Sequence, residues 1–158
     1  METLTPVSAC RHTTCIHLTT TQPTEFIDLT DGLQRLVTDA GLRFGIMNVQ
    51  TLHTTTGVVV NEHEPLLLAD FQSLLETAAP NDGRYQHDDT TARTVNLTDA
   101  ERPNGHAHCR ALLLPSSACL NVIDGRLFLG RWQRVFFVEL DGAREREVSV
   151  LIFGESFR

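Results

Sequence analysis

The sequence predicts an α+β fold, with a mixed, mainly antiparallel sheet covered by two or three helices. Three observations predict it. Strand-like segments dominate the chain, the tight-turn signals Asp124-Gly125 and Asp141-Gly142 join those of the C-terminal third, and no regular strand–helix–strand repeat appears. A chain of 158 residues is expected to form one domain, residues 1–158, with room for a sizeable core.

The elements follow in order. The Thr- and Ile-rich run His12–Thr20 suits a strand, and Glu25–Leu29 makes a second, short one. Thr30 reads as a helix cap. Leu33, Leu36, Val37 and Ala40 repeat at helical spacing, and Gly41 supplies the stop. Gly45–Leu52 and Gly57–Val60 read as strands. Val58-Val59-Val60 lacks polar alternation, so that strand is expected to be buried on both faces. Pro65 suits the first position of a second helix whose stripe is Leu67, Leu68, Phe71, Leu74, Leu75 and Ala78, ended by Pro80-Asn-Asp-Gly83.

Residues 81–105 are polar, and a loop of that length in a compact domain is disordered or functional. Ala107–Leu114 suits a short helix packing Ala111, Leu112 and Leu114. Ser117–Ile123, a long strand Arg126–Leu140 and a final strand Arg144–Phe153 are expected to form a meander.

Composition narrows the function classes. The chain is 41% hydrophobic and 21% charged, with net charge −7. A general nucleic-acid binder is usually basic, so no nucleic-acid partner is expected, although Arg131, Arg134, Arg144 and Arg146 lie late in the chain. No apolar run is long enough to span a bilayer, and Met1–Pro6 lacks the basic start and apolar stretch of a secretory signal. Cys10, Cys15, Cys109 and Cys119 form no Cys-x-x-Cys pair. They are expected to be reduced thiols in a cytoplasmic protein.

Histidines in three separate polar segments carry the chemistry: His53-Thr-Thr-Thr-Gly57, Tyr85-Gln-His-Asp-Asp89 and Asn104-Gly-His-Ala-His-Cys109. Neutral imidazole is the commonest protein ligand for zinc-like ions. His106 and His108 would share a face on a strand, but on a helix they diverge by about 200°. The Ala- and Leu-rich residues that follow favour helix, so one of the two is expected to be a ligand. His53 ends a strand, and hydroxyls such as those of Thr54 and Thr55 before a glycine suit a phosphate. The same threonines fit plain β-propensity.

Asn61 and Glu62 end the next strand, where Glu62 is a candidate general base and equally a candidate helix cap. Asp88 and Asp89 add carboxylates of the kind Mg²⁺ prefers. Gly130 interrupts an apolar run beside Trp132 and Gln133, which suits either a ring-binding wall or core packing.

Together these pieces resemble the YjbQ-like (UPF0047) family, described as secondary thiamine-phosphate synthases. The resemblance spans about residues 26–155. It rests on Gly45-Ile46, His53-Thr54-Thr55, Asn61-Glu62, Tyr85-x-His87-Asp88, His108 before Arg110, Leu113-Leu114-x-Ser116-Ser117, Gly125-Arg126, Gly130-x-Trp132-Gln133 and Gly154-Glu155. Two positions depart from the pattern: Arg131 stands where the family has threonine, and Arg110 where it has lysine.

The resemblance implies metal ligands His53, His87 and His108. It implies a divalent ion, zinc first, with Mg²⁺ the alternative for a pyrophosphate substrate, and a homo-oligomer, taken as a trimer. It also implies coupling of a pyrimidine pyrophosphate to a thiazole phosphate. On that reading His53, Glu62 and Asp88 are catalytic, and Thr54, Thr55, Asn61, Ser116, Ser117, Arg131, Trp132 and Gln133 bind the phosphorylated substrate. A zinc-dependent hydrolase or lyase, and a non-catalytic metabolite- or metal-binding oligomer, remain open alternatives.

Overall fold

A computed structural model describes residues 9–99 and 101–157; the expectation for Met1–Pro6, and Ala100 within the long loop, lie outside it. Among the described residues, eight strands and three α-helices follow in order as β1 (Ala9–Thr19), β2 (Glu25–Asp28), α1 (Thr30–Asp39), β3 (Leu42–Thr51), β4 (Thr56–Glu62), α2 (Pro65–Ala78), α3 (Gly105–Ala111), β5 (Ser117–Ile123), β6 (Arg126–Leu127), β7 (Gln133–Glu139) and β8 (Glu145–Ser156), with a 3-10 turn at Gln86–Asp88 before α3. They form a five-stranded sheet ordered β1-β8-β3-β5-β6 and a three-stranded sheet ordered β2-β7-β4, every pair antiparallel. The α+β expectation is met.

Two apolar clusters organise the layers. Leu33 and Val37 of α1, Met47 and Val49 of β3, and Val148, Val150 and Ile152 of β8 pack with Val58, Val135 and Phe137 from the smaller sheet. The alternate residues Phe136 and Val138 face the other way, where Leu75 of α2 and Ala107 of α3 cover them. Strand β7 is therefore buried on both faces. So is the neighbouring valine run, with Val58 and Val60 in the first cluster and Val59 against the second.

Local signals place the helices. Asp28 accepts the Thr30 N–H at 2.9 Å, so Asp28 holds the start of α1, while the Thr30 hydroxyl accepts from Val135 N across the sheet. Gly41 follows α1 with φ +63°, a conformation glycine adopts without steric cost. Pro65 opens α2, and the Glu64 carboxylate accepts from Leu66 N and Leu67 N. Glu62 does not cap this helix. The inward stripe of α2 is Leu68, Phe71 and Leu75, while Leu74 is exposed and Ala78 lies outside the packed face. In α3 the inward residues are Ala107 and Ala111, with Leu114 beyond the helix; Leu112 points to solvent.

One long expectation fails. The run Arg126–Leu140 is two strands in different sheets. The hairpin β5–β6 turns at Asp124 and Gly125, both at positive φ as a primed turn requires. The chain then breaks at Gly130, where Gly130 N donates to Gln133 Oε1 at 2.8 Å and Gln133 N donates to Gly130 O at 3.0 Å. Strand β7 leaves for the centre of the smaller sheet, and β8 inserts between β1 and β3, so the C-terminal third is no meander. At the β3–β8 crossing, a methyl group on Gly45 would lie 2.2 Å from Phe153 O, so only glycine permits that approach.

Candidate functional site

The three histidine-bearing segments converge. His53 and Thr54, just after β3, His87 from the long loop, and His108 on α3 line one cleft of about 450 Å³, together with Arg93, Asn104 and Arg144. A larger groove of about 830 Å³ runs between Gln22–Thr24 and α2, but it holds no histidine and no arginine.

The cleft floor is a saturated ion pair. Glu139 ends β7 inside the apolar layer with no exposed side-chain surface, and an unpaired charge there would be very costly. Arg146 of β8 meets it in a fork, Nε to Oε2 and Nη2 to Oε1, both 2.6 Å. Thr20 Oγ1 donates to the same carboxylate, as do Leu140 N and Asp141 N, and Arg146 Nη2 also donates to Thr55 Oγ1 at 3.1 Å. Burial alone would raise the Glu139 pKa; the bonds from Arg146 and the backbone win and hold it below the ordinary glutamate value.

The walls carry two more pairs, Arg144 with Asp141 at 2.8 Å and Arg93 with Glu101 at 2.8 Å. Asn104 Nδ2 adds a bond to Asp141 Oδ2 at 3.0 Å. Each guanidinium thus has a carboxylate partner. What remains open are three buried polar atoms without a hydrogen-bond partner among the described residues: His87 Nε2, Asn104 Oδ1 and Arg144 Nε. All three belong to residues lining this cleft.

The imidazoles differ. The rings of His87 and His108 stand edge to face with centroids 4.6 Å apart. Burial lowers the His108 pKa, and the neighbouring His87 lowers it further. Burial also lowers that of His53, reinforced by Arg146. Both are neutral at pH 7. His53 Nε2 accepts the Glu147 backbone N–H at 2.8 Å, so that nitrogen is already engaged. His106 turns away toward Tyr85, as the helical argument requires.

The other expected residues divide. Thr54 and Thr55 both line the cleft, where the Thr55 hydroxyl accepts from Arg146, whereas the Thr56 hydroxyl serves the turn around His53. Asp88 does not enter the cleft; its Oδ1 accepts from Asn104 N and Gly105 N, both at 2.9 Å, and so positions α3. Asp89 closes on Thr91 within its own loop. Ser116 and Ser117 are exposed at the start of β5, beside Thr51, and do not line the cleft.

Asn61, Glu62, Arg131, Trp132 and Gln133 lie elsewhere. On the β4–β7 ladder Thr56 pairs with Glu139 at the cleft end, and Glu62 pairs with Gln133 at the other. At about 3.3 Å per residue the two ends are about 20 Å apart. Trp132 is exposed under the Arg131 guanidinium, 4.5 Å from its ring.

Sequence reasoning missed Arg93, Glu101, Asn104, Asp141, Arg144 and Arg146 as cleft residues, and Glu139 buried beneath them. A readable signal existed for one: Glu139 sits in the apolar run Val135–Leu140, and a charge there needs a partner. It also missed the cluster at the far end, where Asp28 Oδ2 meets His63 Nδ1 at 3.0 Å and Arg134 Nε at 2.7 Å. Burial opposes ionisation of Asp28, but hydrogen bonds from Thr30 and Arg134 prevail and bring its pKa to about 2.

Comparison with known proteins identifies the family and matches the fold. The family model described as UPF0047 protein YjbQ-like matches residues 14–155. A UPF0047 protein of Methanothermobacter thermautotrophicus is 38% identical over 87% of this chain and 89% of its own. One of Archaeoglobus fulgidus is 39% identical over 84% and 94%. A crystal structure of a YbjQ-like protein of unknown function from Sulfolobus solfataricus superposes with TM-score 0.82 at 32% identity, covering 94% of this chain and 100% of that one. The chain belongs to the YjbQ-like UPF0047 family.

Proposed function

We propose that this member of the YjbQ-like family binds a small, hydroxylated, phosphorylated compound in the histidine cleft and acts on it with the His87–His108 pair. One observation carries the reading: His87, Asn104 and Arg144, which all line the cleft, each hold a buried polar atom, Nε2, Oδ1 and Nε–H, with no hydrogen-bond partner among the described residues, Glu101 Oε1 lying 3.9 Å from His87 Nε2. Buried polar groups cost free energy unless something satisfies them. Arg144 Nε needs an acceptor and Asn104 Oδ1 a donor, so the complementary ligand carries both, as a phosphate beside a hydroxyl does. Neutral His108 suits proton abstraction, because its free lone pair is available at pH 7.

A divalent ion fits in part. His87 Nε2 makes no hydrogen bond, with Glu101 Oε1 3.9 Å away, and His108 is neutral, but His53 Nε2 is occupied, and the ring nitrogens of the three do not close to within 4.8 Å as a set among the described residues. An ion held by His87 and His108 would neutralise charge on the bound phosphate.

The test is calorimetric titration of pyrophosphate and of simple sugar phosphates, with and without Zn²⁺ and Mg²⁺. Arg144→Gln and Asn104→Ala should each weaken binding about tenfold, the size of a lost charge-assisted or buried hydrogen bond. Unchanged binding in both variants overturns the reading.

The transferase that makes thiamine phosphate is the second reading, favoured by the three guanidiniums that surround the cleft. It needs a ring platform. Trp132 lies at the far end of the ladder, so in this reading a second protomer of the homo-oligomer supplies it. Absence of thiamine phosphate from incubation with both substrates would exclude this reading and leave the first standing.

A further inference from the structure

We infer that Cys15, His17 and Glu147 form a zinc site on the outer face of the five-stranded sheet, built from side chains that do not line the histidine cleft, although the Glu147 backbone N–H reaches His53. Strand β1 places Cys15 and His17 two residues apart, hence on one face, and its register sets His17 directly opposite Glu147 on β8. Their ligand atoms, one sulfur, one nitrogen and one oxygen, lie within 4.8 Å of one another, and His17 Nδ1 stands 3.5 Å from Glu147 Oε1. Among the described residues this is the one group of three potential ligands that converges so closely.

Tetrahedral zinc, with bonds of about 2.0–2.3 Å, needs ligand atoms about 3.3–3.8 Å apart. Small rotations of three exposed side chains close that gap. The scaffold is firm, because β1 and β8 pair without interruption from Ala9–Glu155 to Thr19–Glu145.

The donor set selects the ion. Thiolate, imidazole and carboxylate together suit a borderline-soft divalent cation, and oxygen-seeking Mg²⁺ gains nothing from sulfur. Glu145, two residues from Glu147 on the same exposed face, adds negative charge next to the site. Three protein ligands leave a fourth position for water, so the site is expected to exchange its ion readily. None of the three side chains lines the cleft.

Cobalt(II) titration of chelator-stripped protein tests the assignment, because a cysteine ligand produces a sulfur-to-cobalt charge-transfer band in the near ultraviolet. The wild type should show the band and lose it on addition of zinc. Cys15→Ser should abolish it. His17→Ala and Glu147→Gln should weaken cobalt affinity by more than about tenfold, the loss typical of removing even an outer partner of a ligand.

The band should survive in His108→Ala and Cys109→Ser, which separates this site from the cleft. Alkylation of the unmodified protein adds a readout free of folding effects: zinc should slow reaction at Cys15 and leave Cys119 unprotected. No sulfur band in the wild type, a band that persists in Cys15→Ser, or zinc-independent alkylation of Cys15 each overturns the proposal.

Discussion

The two ends of the β4–β7 ladder come from the same pair of strands and have opposite character. At one end Thr56 faces Glu139, and the carboxylate is buried and saturated by Arg146, Thr20 and two backbone N–H groups. At the other, Glu62 faces Gln133 among exposed residues, with Trp132 in solvent. Both ends contribute pieces of the pattern that marks the family. The buried end is held by a saturated ion pair out of solvent, the exposed end by the Asp28, His63 and Arg134 cluster at the surface.

Substitutions separate the two ends most sharply. Arg146→Met leaves Glu139 buried and unpaired and should cost about 3–5 kcal/mol in urea unfolding. Glu62→Gln should stay within about 0.5 kcal/mol, as surface changes do. Similar losses from both would erase the contrast.

Glycine packing gives a smaller effect. A methyl group on Gly105, where α3 begins, would sit 2.4 Å from Tyr85 Cβ, so Gly105→Ala should cost about 1–3 kcal/mol through overpacking. On Gly130 the nearest atom is the flexible end of Gln133 at 3.3 Å, and its loss of stability should be smaller. Thermal melts of the pair rank them.

Acidification should reach the histidines first. His53, His106 and His108 have pKa values lowered from 6.5 by burial in the folded state, so the unfolded chain takes up protons that the folded chain refuses. Their contribution is complete above about pH 6.5 and is lost as pH falls through the folded values. Asp28, lowered from 3.8 to about 2, contributes stability that is present above pH 3.8 and lost as pH falls toward 2. Melting temperature against pH should therefore fall in two steps, with the histidine step resolved by NMR titration of the imidazoles. A single step near pH 4 would contradict this order.

The smallest signal is optical. Trp132, the one tryptophan of the chain, is exposed. Iodide should quench it readily, and pyrophosphate in the cleft of a monomer should leave its emission unchanged. A large change on ligand addition would join the two ends through a second protomer and favour the transferase reading.

What could be read from sequence follows the range of the forces involved. Helices α1 and α2 were legible because their caps and stops are local: Gly41 at positive φ, and Pro65 after the extended Glu64. The Asp124-Gly125 hairpin was legible for the same reason. The split of Arg126–Leu140 was not. Both halves are apolar, and the choice of sheet depends on partners tens of residues away. The histidines were found through residue type. Arg144 and Arg146 were noticed only as charge, because their roles come from Asp141 and Glu139, which strand alternation alone cannot assign.

The position of β8 bears on how the protein is made. It lies between β1 and β3 in the larger sheet, and its partner in the pair Thr19–Glu145 stands 126 residues earlier in the chain. A ribosome delivers β1 and β3 long before the strand that joins them. Until residues 145–156 emerge, both present unsatisfied edges, and Glu139 waits in an apolar strand without Arg146. Assembly of this sheet therefore waits for β8, slow by virtue of its long-range pairing, and the nascent domain is most exposed to aggregation just before that strand arrives.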